Sequence, residues 1–116
     1  MQFDYLDEHD ERIVDCAPYA RVYHRDLEDA PRAAGVYIFL DADGDVIYVG
    51  CAEAGKLSSE IEMKWNTSVD LGARRYRWFS TANETAACAL EANWIEKYRP
   101  RNNVVDEPAE PLRSSC

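Results

Sequence analysis

The sequence predicts a small α/β (α+β) fold, in which a three-stranded, mainly antiparallel sheet is flanked by helices in the order β-β-α-β-α. Three features support this prediction. Residues 35–50 have the alternating pattern of a β-hairpin, residues 74–80 repeat that pattern, and residues 81–99 carry the apolar stripe of a helix. With 116 residues, 47% of them hydrophobic, the chain is large enough for one domain but not for two.

The residues before the hairpin are acidic and only weakly patterned. Residues 1–16 are expected to form a poorly ordered arm or a short helix, and residues 17–25 an edge strand or a lead-in loop. Leu27 to Pro31 is predicted to be a helical turn that ends at the proline. The chain is therefore divided into an acidic N-terminal extension (1–26), a folded domain (27–103) and a flexible acidic tail (104–116).

The hairpin places two tyrosines on one face of the predicted sheet. Apolar and aromatic residues alternate along residues 36–40, turn residues occupy 41–44, and residues 45–49 return as the second strand. A two-residue loop at 42–43 or a four-residue loop at 41–44 would put Tyr37 directly opposite Tyr48. Two facing phenols could position a nucleophile, or they could simply stabilise the sheet.

The second half of the chain supplies two helices and the third strand. Residues 53–64 are predicted to be the first helix, followed by a loop at 66–68. In residues 74–80, Tyr76 and Trp78 lie on one face of the strand. Thr81-x-x-Glu84 has the pattern of a capping box that starts the second helix, and Pro100 is expected to stop that helix.

The hairpin contains the tripeptides Gly35-Val36-Tyr37 and Tyr48-Val49-Gly50, and the last helix carries Glu91 and ends in Arg99-Pro100-Arg101-Asn102-Asn103. This ordered set resembles the GIY-YIG nuclease superfamily. It is most similar in pattern to the N-terminal nuclease domain of the bacterial excision-repair incision subunit. The resemblance covers roughly residues 27–103, and it implies a GIY-YIG-type fold and metal-dependent cleavage of DNA.

The resemblance also implies roles for four residues. One of Tyr37 and Tyr48 would act as the general base or orient the attacking water. Glu91 would hold Mg²⁺ (or Mn²⁺), and one carboxylate with waters and a substrate phosphate is a normal shell for Mg²⁺. Asn103 would hydrogen-bond within the site. Because a phenol with a pKa near 10 is a poor base at neutral pH, the site needs a cation near the tyrosines.

Two cations of the family pattern are absent. Relatives carry an arginine about ten residues after the second tyrosine, and this position is Ser58 without a gap or Glu60 when the family's leucine is aligned with Leu57. Excision-repair relatives also carry a lysine directly after the second tripeptide, where this chain has Cys51. The candidate replacements that could contact phosphate are Lys56, Lys64, Arg75 and Arg77. Alternatively, Glu60 and Glu91 could share a metal ion.

The charge pattern leaves three hypotheses open. The net charge of −9 opposes a simple nucleic-acid binder, but residues 35–103 carry ten acidic and eight basic side chains. The first hypothesis is a DNA endonuclease with a relocated base. The second is a catalytically degenerate domain that binds nucleic acid or protein. In the third, the acidic arms dock a protein partner that supplies the missing cation.

The sequence can also be read for membrane-spanning segments and targeting signals. No apolar run approaches the length of a membrane helix, and the acidic N-terminus has no signal-peptide pattern. We therefore expect a cytoplasmic protein with no membrane partner.

Overall fold

The computed structural model describes residues 1–22 and 30–105, so residues 27–29 of the predicted helical turn and most of the predicted tail lie outside the described residues. A short 3₁₀ helix at Tyr5–His9 comes first. The strands are β1 (Ile13–Cys16), β2 (Arg21–Val22), β3 (Ala34–Leu40), β4 (Val46–Ala52) and β5 (Arg75–Thr81), and the helices are α1 (Leu57–Asp70), α2 (Glu84–Tyr98) and α3 (Arg101–Val105). None of the described helices is long and apolar enough to cross a membrane.

The sheet is antiparallel, with strand order β1-β5-β3-β4 and with β2 also paired to β5. The predicted fold class is confirmed, since the three expected strands are β3, β4 and β5 and the β-β-α-β-α order runs from β3 to α2. The two additional strands come from the N-terminal segment. β2 lies within residues 17–25, where an edge strand was one of the two expectations, whereas the short β1 was not expected.

Alternation along the strands divides the core into two faces. The face covered by α1, here called the tyrosine face, contains Tyr37, Phe39, Tyr48, Leu57, Ile61, Trp65, Tyr76 and Trp78. The face covered by α2, here called the α2 face, contains Phe3, Val36, Ile38, Leu40, Val49, Cys51, Phe79, Ala87, Leu90, Trp94 and Tyr98. Both tyrosines of the tripeptides therefore lie beneath α1.

The N-terminal residues are packed rather than arm-like. Phe3 is 8% exposed and its ring lies among those of Phe79, Trp94 and Tyr98. Lys97 on α2 forms salt bridges of 3.0 and 2.9 Å with the carboxylates of Asp4 and Asp7. The expectation of a poorly ordered arm is wrong for the first 16 residues, because these contacts fix them against α2 and β5. The short helix expected there is present as the 3₁₀ turn.

Helix boundaries differ from the predicted ones for local reasons. Gly55 has φ +82°, a left-handed conformation outside any helix, so α1 begins at Leu57 rather than at residue 53. It then continues through the predicted loop at 66–68 to Asp70, because Trp65 and Ser68 remain buried against the sheet. The capping residue of α2 is not Thr81.

The N-cap residue of α2 is Asn83, two residues after the Thr81 that the predicted capping box would place there. The side chain of Asn83 accepts a 2.8 Å hydrogen bond from the Ala86 N–H, as N-cap residues do. Thr81 is the last residue of β5, and its hydroxyl donates to the Asn83 carbonyl. Arg99, with φ 45°, closes the helix in a left-handed conformation before Pro100.

The register of the hairpin also differs from the expected one. Tyr37 pairs with Gly50, and Tyr48 pairs with Phe39. The turn closes around residues 41–45 because one Asp41 carboxylate oxygen accepts the N–H groups of Asp43 and Asp45. This longer connection, with a register shift next to Leu40, moves the pairing by two positions, and a two-position shift keeps both phenols on the same face.

Candidate active site

Tyr37 and Tyr48 form the centre of the site on the tyrosine face. Their ring centroids lie 6.1 Å apart, and they are 1% and 6% exposed. The Tyr37 ring passes directly over Gly50, where a Cβ atom would lie 2.4 Å from Cζ and 2.5 Å from the hydroxyl of Tyr37. The glycine of the second tripeptide is thus required by close approach of the first tyrosine.

The electrostatic surroundings of Tyr37 are negative. Burial is the main reason why the pKa of the Tyr37 phenol lies well above its ordinary value of 10.0. Nearby acidic groups raise that pKa further, namely those of Tyr48, Glu60 and Glu91. A hydrogen bond between the two phenols acts in the same direction, which means that Tyr37 donates it.

Glu91 is a buried carboxylate brought to this region by α2. It is 8% exposed, and its charge reaches Tyr37 even though α2 covers the other face of the sheet. Glu60 approaches from α1 and is half-buried. The potential metal ligands near Tyr37 are therefore carboxylate and phenol oxygens, and hard divalent cations prefer oxygen ligands. This set of residues fits Mg²⁺ or Mn²⁺.

Asn103 connects α3 to the strand that carries Tyr48. Its amide oxygen accepts a 2.7 Å hydrogen bond from the Val49 N–H, and its amide nitrogen donates a 2.8 Å hydrogen bond to the Val49 carbonyl. Because Val49 follows Tyr48 directly, this pair of hydrogen bonds fixes the backbone beside the phenol. The amide oxygen and the amide nitrogen of Asn103 are thus both engaged by the backbone of β4.

Two of the four candidate phosphate-binding residues lie on the wrong face. Arg75 and Arg77 alternate with the buried Tyr76 along β5, so they project on the α2 face, away from the tyrosines. Arg77 is 2% exposed, donates to the Ala17 carbonyl at 2.7 and 2.9 Å, and forms a 2.8 Å salt bridge with Glu8. The prediction that Arg77 binds phosphate is therefore wrong.

The two lysine candidates both belong to α1 or its start. Lys56 is exposed and occupies the N-cap position of the helix. Lys64 is half-buried, one turn after Glu60, and forms no ion pair with any residue in the described ranges 1–22 and 30–105. Lys64 lines a cavity together with Tyr48.

The three atypical positions have different environments. Cys51 is 2% exposed on the α2 face, where its sulfur lies 3.9 Å from the sulfur of Cys88. Ser58 is half-buried near the start of α1. Glu60 is the position whose charge reaches Tyr37. Of the two positions considered for the family arginine, Ser58 and Glu60, Glu60 is the one whose charge raises the pKa of Tyr37.

A cavity of about 180 Å³ opens beside Tyr48, between the second half of α1 and α3. It is lined by Tyr48, Lys64, Thr67, Ser68, Leu71 and Asn102. The sequence analysis did not single out Thr67, Ser68 or Asn102. The i, i+3, i+4 spacing from Lys64 was the available signal, but it was hidden because residues 66–68 were assigned to a loop.

A separate acidic group lies in the hairpin turn. One carboxylate oxygen from each of Asp41, Asp43 and Asp45 lies within 4.8 Å of the others. Asp41 accepts N–H groups of the turn and a 3.4 Å contact from Arg101, and Asp45 lies 3.6 Å from the Met1 ammonium. The Asp41 carboxylate therefore stabilises the turn, and none of the three aspartates lines the cavity beside Tyr48.

Comparisons with known proteins identify the family. The family model of the UvrC-like GIY-YIG domain matches residues 33–104. The chain belongs to this family. The UvrABC system protein C of Chlamydia trachomatis serovar D is 34% identical over 99 residues, which cover 73% of this chain and 15% of the relative. The protein of the same name from Methanothermobacter thermautotrophicus is 38% identical over 85 residues, 69% of this chain and 15% of the relative.

A solved structure supports the same assignment of a UvrC-like GIY-YIG fold. The GIY-YIG N-terminal endonuclease domain of UvrC from Thermotoga maritima, solved with its catalytic divalent cation, magnesium, is 34% identical to this chain. The match covers 62% of this chain and 84% of that domain, with a TM-score of 0.52. The chain spans 15% of the length of the two curated relatives. The family resemblance drawn from the tripeptides, Glu91 and the terminal motif is confirmed.

Proposed function

We propose that this UvrC-like GIY-YIG domain is a metal-dependent DNA endonuclease, hydrolysing phosphodiesters with a site that lacks the usual arginine. The observation that carries the proposal is the buried pair of phenols, with the ring centroids of Tyr37 and Tyr48 6.1 Å apart, together with the buried Glu91 whose charge reaches Tyr37. The magnesium-bound UvrC domain of Thermotoga maritima supports a divalent cation, and relatives named UvrABC system protein C support excision repair as the context.

The carboxylates have the role of holding the cation. Glu91 supplies a buried oxygen ligand, and Glu60 supplies a second oxygen from α1. A bound Mg²⁺ or Mn²⁺ would polarise the phosphate and stabilise the charge on the departing oxygen. In this arrangement Glu60 strengthens the binding of the cation. The site then lacks the positive charge that an arginine at this position would place near the phosphate.

The two phenols have different roles because their exposure differs. Tyr48 lines the cavity and is the phenol that a substrate reaches, so it orients the attacking water or accepts its proton. Tyr37 is almost completely buried and remains a neutral hydrogen-bond donor, because its pKa is raised. It fixes the orientation of the Tyr48 hydroxyl, and Asn103 fixes the backbone next to it.

A catalytically degenerate nucleic-acid- or protein-binding module is the second candidate function. It is favoured by the acid at position 60 and by the burial of Cys51, since neither position presents a cation to a phosphate. A partner that docks on the acidic N-terminal arm is less well supported. Asp4, Asp7 and Glu8 are already paired with lysine and arginine side chains of this chain.

We propose that the chain consists of an acidic N-terminal extension (1–26), a nuclease body (27–103) and a flexible acidic tail (104–116). The nuclease body is the middle unit, which includes both tripeptides and the terminal motif. The N-terminal unit adds β1 and β2 to the sheet and Phe3 to the α2 face. We propose that it stabilises the body rather than contacting DNA.

Plasmid nicking distinguishes the two candidate functions. Supercoiled DNA with Mg²⁺ or Mn²⁺ is incubated with the wild type, Tyr48→Phe, Glu91→Gln and the matched control Glu96→Gln, which changes an exposed acid on the same helix. We expect nicking by the wild type and the control, and a loss of at least about 100-fold in the other two variants. Equal nicking by all four proteins, or no nicking, contradicts the proposal, and DNA binding without nicking favours the module.

Glu60→Arg tests the replaced arginine. If Glu60 contributes a metal ligand, the variant loses activity and needs a higher Mg²⁺ concentration for half-maximal nicking. The control is Glu62→Arg, which makes the same charge change at an exposed position of α1. A gain of activity in Glu60→Arg alone would show instead that the native acid disables the site.

A further inference from the structure

The cavity beside Tyr48 is chemically different from the carboxylate side of the site. Its lining contains one ammonium, two aliphatic hydroxyls, one amide, the Tyr48 phenol and one leucine, and no carboxylate. Around Tyr37, by contrast, the neighbouring ionisable groups are all acidic, namely Tyr48, Glu60 and Glu91. Tyr48 belongs to both environments, so it lies where a region suited to a cation meets a region suited to an anion.

One buried amide and one ammonium of the cavity lining, those of Asn102 and Lys64, are not paired by the part of the chain that the structure describes. Asn102 is 5% exposed, and its amide nitrogen has no hydrogen-bond partner within residues 1–22 and 30–105. Lys64 likewise has no ion pair in that part of the chain. Buried polar groups in native proteins nearly always have partners. A ligand that brings several acceptor oxygens would satisfy these donors together.

The size of the cavity restricts what part of a ligand can enter. About 180 Å³ is below the roughly 300–1,000 Å³ of pockets that enclose a whole small molecule. The cavity therefore suits one group of a larger ligand. A phosphate group matches the lysine charge and the hydroxyl and amide donors, which are the groups that contact nucleic-acid backbones.

We propose that this cavity binds a backbone phosphate of DNA adjacent to the phosphodiester that is cleaved, with Lys64 providing its charge and Thr67, Ser68 and Asn102 its hydrogen bonds. The proposal rests on the proposed nuclease function and deepens it. Lys64 lies one helical turn after Glu60 on α1, so a positive charge is restored next to Tyr48 from a new position. The relocated charge holds the strand while the carboxylates remain free for the cation.

Equilibrium binding without cleavage tests the subsite separately from catalysis. The full chain is titrated into a short fluorescently labelled DNA duplex in EDTA, over a range of NaCl concentrations. Two matched pairs are compared with the wild type, namely Lys64→Gln with Lys56→Gln, and Thr67→Glu with Asn66→Glu. Each pair makes the same charge change on or beside α1, and only the first member lines the cavity.

We expect Lys64→Gln to weaken binding and to reduce the slope of log K against log salt by about 1, because one phosphate contact is lost. Thr67→Glu should weaken binding through repulsion more than Asn66→Glu does, and Lys64→Gln should weaken it more than Lys56→Gln does. Both cavity variants are surface-accessible or half-buried, and thermal unfolding checks that they fold.

The proposal is overturned if each cavity variant binds like its matched control. Its failure is distinguishable from failure of the nuclease function. Metal-dependent nicking that is lost in Glu91→Gln, together with equal binding by Lys64→Gln and Lys56→Gln, would keep the nuclease and reject the subsite. Binding that depends on Lys64 without any nicking would keep the subsite in a non-cleaving domain and reject the nuclease.

Discussion

At the residue scale, Gly50 controls the position of the Tyr37 phenol. A Cβ atom at this position would lie 2.4 Å from Cζ of Tyr37, so Gly50→Ala must displace the ring and its hydrogen bond to Tyr48. We expect nicking to fall about 100-fold, the effect of moving a catalytic group by roughly 1 Å. Gly44→Ala is the control, because that glycine has φ +87° but only a side-chain atom at 3.7 Å. Gly44→Ala should lower stability without lowering the nicking activity. Equal activity losses in both variants would contradict the assigned role of Gly50.

Single residues also show how much of the candidate site the sequence could predict. Tyr37, Tyr48 and Glu91 were predicted because the tripeptides and the terminal motif give them an order along the chain, and in the structure the two rings are neighbours and the charge of Glu91 reaches Tyr37. Cys51 and Arg77 were considered near the phosphate, but both project on the α2 face. Sequence alternation shows which strand residues share a face, whereas the face that meets the substrate depends on which helix covers it.

At the element scale, the N-terminal segment is held to α2 by a buried aromatic ring. Phe3 packs with ring centroids 5.4 Å from those of Phe79 and Trp94. We expect Phe3→Ala to lower the free energy of unfolding by about 3 kcal/mol, as other truncations of buried phenylalanines do. Leu6→Ala, at a position that is 76% exposed, should change it by less than about 0.5 kcal/mol. Urea unfolding measures both, and indistinguishable midpoints would show that the segment is not part of the cooperative unit.

Elements with strong periodicity were predictable, and their ends were not. The hairpin strands and β5 follow their alternation, but the two N-terminal strands are short and partly exposed. Residues 66–68 have low helix propensity, yet tertiary packing of Trp65 and Ser68 keeps them in α1. The hairpin register was missed because Asp41 closes a longer turn with its side chain, an interaction that loop length alone does not reveal.

At the scale of the whole molecule, the pairing of charges bears on how the proposed DNA site could exist on an acidic chain. The net charge is −9, and the described basic residues outside α1 include several that are engaged with acids. Arg77, Lys97 and Arg101 form salt bridges with Glu8, Asp4, Asp7 and Asp41. Lys64 lines the cavity with Tyr48, so under the proposed function the affinity for DNA would depend on this local contact rather than on the overall field.

The dependence of global stability on pH follows from the same contacts. Hydrogen bonds to the Leu6 N–H and to Lys97 hold the pKa of Asp4 below its ordinary value of 3.8, and hydrogen bonds to Arg12 do the same for Asp10. A carboxyl whose pKa is lower in the folded state contributes stability above its unfolded pKa and loses it as the pH falls through the folded value. We expect stability to fall below about pH 4, measured as the urea midpoint. An onset well above that pH would contradict this origin.

The buried phenols determine how the stability of the fold changes at alkaline pH. Burial and the carboxylate of Asp7 raise the pKa of Tyr98 above its ordinary value of 10.0, and burial does the same for Tyr37. A group whose pKa is higher in the folded state contributes stability below its unfolded pKa and loses it as the pH rises through the folded value. Stability should therefore fall above about pH 10. Tyr98→Phe removes the hydrogen bonds to Asp7 and Asp4, so it should lower the urea midpoint at pH 7 and weaken the alkaline decline, with Tyr19→Phe as the exposed control. An unchanged alkaline slope in Tyr98→Phe would assign the decline to other groups.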